Sequence, residues 1–166
     1  QLQSLNFDNG IFELDPVCGE KTALVMVPWY LPNAAIHYIE QIAITMKKKG
    51  YKLHLFIYWE QYAPQNVNRN VWDRVFFQHA SNPYFSHSNY SENRMDADHI
   101  DDWVDADFLQ SIVRLNEHYK YSACMANYLF YSKAFDVLSP AVKKILCTHD
   151  KFANHNKSLH NQEWTK

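Results

Sequence analysis

The stretch between residues 23 and 59 constrains the fold more than any other. Ala23 to Tyr30 (ALVMVPWY) is an unbroken apolar run, the mark of a strand buried on both faces of a parallel sheet. Pro28 and Pro32 end it and open a loop. Apolar residues then fall at Ala35, Ile36, Ile39, Ile42, Ala43 and Met46, which is the spacing of an amphipathic helix. Asn33 suits its N-cap, Lys47 to Lys49 fill the last turn where cations favour the helix dipole, and Gly50 supplies the C-cap. Tyr51 to Trp59 (YKLHLFIYW) is the second strand. Strand, loop, helix, glycine and strand make one βαβ unit.

The rest of the chain continues the alternation. Val67 to Phe77 suggests a helix running into a short strand, and Ala80 to Asn93, rich in Ser, Asn, Tyr and Pro, an exposed loop. Phe108, Leu109, Ile112, Val113 and Leu115 mark a second amphipathic helix with Asp105 or Asp107 as N-cap. Tyr121 to Asn127 reads as a strand, Leu129 to Leu138 as a helix, and Lys144 to Thr148 as a strand ending at His149-Asp150. Residues 1–20 form a polar lead-in and residues 21–166 one α/β domain with an open, mostly parallel sheet and helices on both faces.

Composition narrows the function. A chain of 166 residues with 47% hydrophobic and 20% charged residues can bury a sizeable core, which excludes wholesale disorder. A formal charge of −2 argues against a general nucleic-acid binder. Three widely spaced cysteines (Cys18, Cys124, Cys147) form neither a CxxC pair nor a disulfide ladder and point to a reducing, cytoplasmic compartment. No stretch approaches the roughly 20 apolar residues that cross a bilayer. The chain begins at Gln1 rather than methionine, as expected for a piece of a longer polypeptide.

In open parallel sheets ligands bind outside the carboxyl ends of the strands, which makes Tyr30 to Asn33, Trp59 to Tyr62, Asn127-Tyr128 and His149-Asp150 the candidates. His149 could take a proton from a hydroxyl, with the Asp150 carboxylate holding the imidazole. The plainer reading is that Thr148, His149 and Asp150 cap the next segment. His37, one turn after Pro32-Asn33, either faces the cleft or is solvated. The helix start at Asn33 offers free N–H groups to an anion, although neither GxGxxG nor GxxxxGK[ST] occurs. Asp96-Ala97-Asp98 and Asp105-Ala106-Asp107 fit a DxD cation pattern, yet both precede a helix, where acids are favoured anyway. The remaining histidines show no zinc-ligand spacing, so no metal and no tightly bound cofactor is expected.

The segment from Ala23 to Trp59, and more specifically Asp101 to His155, resembles retaining GT-B glycosyltransferases of the glycosyltransferase family 4 type. In that group a helix leads to a strand ending in Asn-Tyr, then a Ser-containing helix, then a strand ending in Thr-His-Asp followed by an aromatic. Here those positions are Asn127-Tyr128, Ser132, and Thr148-His149-Asp150 with Phe152. Where many members carry Gly-Gly in the first loop, this chain has Asn33-Ala34-Ala35. The resemblance implies a Rossmann-like, acceptor-side N-terminal domain facing a C-terminal donor-binding domain that these residues do not supply. It also implies transfer of a sugar from a nucleotide-diphosphate-sugar co-substrate to a glycan or lipid-linked acceptor. His149 and Asp150 would lie on the cleft floor, with Tyr30, Pro32, Asn33, His37, Asn127, Tyr128, Ser132 and Thr148 around it. Little transfer activity is expected from this domain by itself. Enzymes that build polysaccharides often work at the inner face of a membrane, and no basic amphipathic helix for such attachment is visible. Two other readings fit the pattern: a non-catalytic carbohydrate- or protein-binding module, and a flavodoxin-like domain.

Overall fold

A computed structural model describes residues 3–5, 21–58, 66–78, 104 and 106–148. Six strands form one sheet: β1 (Gln3–Leu5), β2 (Lys21–Val27), β3 (Tyr51–Ile57), β4 (Arg74–Phe77), β5 (Ala123–Asn127) and β6 (Lys143–Cys147). Their order across the sheet is β1-β4-β3-β2-β5-β6. Five strands are parallel, and β1 pairs antiparallel with β4 at the edge, Gln3 opposite Phe77. The open, mostly parallel α/β sheet expected from the sequence is therefore present. The polar lead-in, by contrast, contributes a strand.

β2 is central and buried from Thr22 onward, which explains why its sequence does not alternate: both faces are covered. Ala23, Val25 and Val27 face the layer that holds Ile36, Ile39 and Ala43 of α1 (Ala34–Lys48), with Val67, Val71 and Trp72 beside them. Leu24 and Met26 face the opposite layer, packed by Phe108, Ile112 and Leu115 of α2 (Ala106–Tyr119) and by Phe130, Tyr131 and Ala134. Those last three lie on a 3-10 helix, Leu129–Val137, where an ordinary helix was expected. α2 begins at Ala106, so Asp107 sits inside its first turn, while Asp105 lies outside the described residues. Between Val67 and Phe77 the chain makes turns and then β4, without the expected helix.

α1 is capped as its sequence predicts. The Asn33 side chain accepts from the Ile36 N–H (2.9 Å), and Gly50, at φ 83°, donates its N–H to Lys47 O (2.9 Å). Lys47 also reaches Asp73 (3.1 Å), whose other carboxylate oxygen accepts from the Leu53 N–H (2.7 Å). Because both ends of that ion pair are about one-third exposed, it adds little by itself. Its use is to tie the end of α1 to the turn that starts β4.

Toward the amino end of the sheet, on the α2 face, His54 is buried among Tyr119, Tyr121 and Phe76, with ring centroids 4.5, 5.5 and 5.7 Å away. Its Nδ1 hydrogen-bonds the Tyr121 hydroxyl (2.9 Å). Burial, reinforced by the Arg74 guanidinium, pushes its pKa down to about 3. No helix among the described residues is long and apolar enough to cross a membrane.

Candidate functional site

From β2 the chain steps to β3 and β4 on one side, then returns to β5 and β6 on the other. The loops after β2 and β5 therefore diverge from adjacent strands. That is the topological switch point at which parallel sheets hold ligands. Registers of Met26 with Ala126 and Asn127 with Cys147 bring Pro28, Tyr128 and Thr148 level along the carboxyl edge.

Trp29 and Tyr128, one from each diverging loop, meet there with ring centroids 5.6 Å apart and planes tilted by 49°. Both residues are partly exposed. Asn127 is fully buried at the end of β5. Tyr128 follows it at φ 80°, ψ 146°, a region that glycine enters freely and that costs a side-chain-bearing residue about 1–3 kcal/mol. Its N–H donates to Cys147 O (2.9 Å), and its carbonyl accepts from the Tyr131 N–H (3.3 Å), so the residue is held on both sides.

Around this pair, Pro32 and Asn33 are exposed in the loop that climbs into α1, and His37 is exposed in its first turn. Thr148 is exposed beyond β6, and Ser132 is half-buried on the 3-10 helix. Tyr30 takes a different place. Buried against α1, its hydroxyl donates to Glu40 and accepts from Trp72 Nε1 (3.1 Å) and the Asn68 N–H (3.3 Å). Burial, and then the bond to Glu40, push its pKa up to about 12. Tyr30 thereby fixes the loop that carries Trp29. His149, Asp150 and the segment from Trp59 to Tyr62 lie outside the described residues, as do Asp96 and Asp98.

Trp29 was not among the cleft residues expected from the sequence. The strand-end rule covers it, since it follows β2 by only two positions, but its apolar neighbours make it read as the tail of the strand. Among the described residues no group of three His, Cys, Asp or Glu side chains is close enough to hold a metal ion. Of the described thiols, burial pushes Cys124 up to about 12 and raises Cys147 as well, which disfavours the reactive thiolate in both. Compared with protein-family models, curated proteins and solved structures, the chain matches none.

Proposed function

We propose that the chain is the acceptor-side domain of a cytoplasmic glycosyltransferase built from two Rossmann-like domains. It would act in polysaccharide or cell-surface glycan synthesis, moving a sugar from a nucleotide-diphosphate-sugar donor to a glycan or lipid-linked acceptor. The observation that carries this reading is the topological switch point between β2 and β5, where the loop after β2 and the end of β5 meet through Trp29 and Tyr128. Asn127-Tyr128 and the loop into α1 are two of the segments on which the glycosyltransferase resemblance rests. In this reading the start of α1 faces the donor phosphates, because the positive end of its dipole suits an anion. In the sequence His149 and Asp150 directly follow Thr148, the residue after β6. In this reading the imidazole would accept the proton of the acceptor hydroxyl, with the carboxylate orienting it.

The test is His149→Ala in the native polypeptide that carries this chain, assayed for transfer from a panel of nucleotide sugars. Turnover is expected to fall about 100-fold or more, with the circular dichroism spectrum unchanged. Near-normal turnover would remove His149 from the chemistry. A second reading, a non-catalytic carbohydrate-binding module, draws on the same aromatic pair. It predicts saturable glycan binding with no nucleotide-sugar-dependent transfer by the native polypeptide.

A further inference from the structure

Tyr30 is buried between half-buried Trp29 and the exposed run from Leu31 to Ala34. Its ring belongs to the apolar layer between the sheet and α1, which a phenylalanine would fill as well. The hydroxyl is therefore the informative group. It donates to the Glu40 carboxylate and accepts from Trp72 Nε1 (3.1 Å) and the Asn68 N–H (3.3 Å). One donated and two accepted bonds use the full capacity of a phenol oxygen, which leaves none for a substrate. Trp72 is buried, and the single donor of its indole is spent here. The partners sit on two other segments: Glu40 on the second turn of α1, Asn68 and Trp72 ahead of β4. Between Tyr30 and α1 the chain turns tightly. The Asn33 N–H donates to Leu31 O (2.8 Å), and the Asn33 side chain then caps Ile36 (2.9 Å). The bond from Tyr30 to Glu40 spans this turn from the helix side. It sets the angle at which the loop enters α1, the task that apolar staples perform at other helix starts.

We infer that Tyr30 is a positioning residue of the site, whose hydroxyl holds the switch-point loop and the first turn of α1 in place without touching substrate. The inference rests on the glycosyltransferase reading for what the loop meets. It moves Tyr30 from the lining of the cleft to the support behind it. The residues held are Trp29 on one side of Tyr30 and Pro32, Asn33 and His37 on the other. Three of these four border solvent fully, so the loop draws its order from Tyr30 and from the Asn33 cap. A loop anchored in this way is ordered before a ligand arrives, and less entropy is lost on binding.

The experiment compares Tyr30→Phe, Glu40→Leu and Glu40→Gln in the native polypeptide that carries this chain. With the nucleotide sugar varied, Tyr30→Phe should raise KM about tenfold and leave kcat near wild type, the signature of lost ground-state binding. Glu40→Leu should raise KM equally, and the double variant should add nothing further. Glu40→Gln keeps an acceptor for the hydroxyl and should behave like wild type. Amide hydrogen exchange supplies a readout independent of activity. In Tyr30→Phe the Asn33, Ile36 and His37 amides should exchange about tenfold faster or more, with those of Val25 and Leu55 in the central strands unchanged. The inference is overturned if loop exchange is unchanged, or if the strands exchange faster to the same degree, which is a loss of global stability. It is also overturned if an active Tyr30→Phe keeps a normal KM. A raised KM in Tyr30→Phe but not in Glu40→Leu would make Tyr30 a direct contact and overturn it too. If the wild-type polypeptide transfers no sugar, the glycosyltransferase reading fails, and the exchange pattern alone decides whether the hydroxyl holds the loop.

Discussion

Closed in by Tyr119, Tyr121 and Phe76, the His54 imidazole cannot take up a proton without bringing charge into the core beside Arg74. Its pKa is about 3 in the fold against an ordinary 6.5. The unfolded chain therefore binds the proton first. His54 contributes stability in full above pH 6.5, and that contribution is lost progressively as pH falls toward 3. Between pH 6.5 and 5 the loss is about 2 kcal/mol. In urea melts over that range His54→Gln should lose correspondingly less than wild type; parallel losses would mean that the imidazole titrates normally. The sequence shows His54 only as a histidine without ligand spacing. Its burial follows from its place between Leu53 and Leu55 in a strand covered on both faces. Tyr128 was legible as a strand-end residue, but its backbone was not, because residue type argues against a positive φ there.

At the scale of elements, α1 is the best-specified piece. Its apolar stripe, its Asn33 cap and its terminal glycine all agree, and all three are found in the structure. A methyl group on Gly50 would point into open space, with nothing within 4 Å, so any penalty for Gly50→Ala comes from the positive φ alone. That substitution should lower stability by about 1 kcal/mol, read as a shift of the urea midpoint with no change in slope. No shift would mean that the turn rearranges. Less was legible elsewhere, for physical reasons. β1 spans three residues, too few to show a period, and its place is set by pairing with β4. The segment from Leu129 to Val137 has apolar residues that satisfy either helical pitch, and its 3-10 winding is fixed by tertiary packing of Phe130, Tyr131 and Ala134. Lys120 ends α2 in the left-handed region, donating its N–H to Asn116 O (2.9 Å), where no glycine announced a cap.

Across the whole molecule the sheet has two unlike margins. On one side β1 covers β4, three of whose four residues are buried; on the other β6 is largely exposed, with Leu146 41% accessible. Deleting residues 1–5 would uncover the β4 edge. Exposed apolar edges pair with other chains, so the shortened protein should have a lower Tm and scatter more light on concentration; unchanged behaviour would show that β1 is dispensable. The interior of the sheet carries a different consequence. β2 is completed by β5, and Ser122 bonds Thr22 O across 100 positions of sequence. During synthesis, at about 5–20 residues per second, β2 therefore waits roughly 5–20 s with one edge open before its second neighbour leaves the ribosome. Through that interval the most apolar strand of the protein is half-paired, and the nascent chain depends on what shields it.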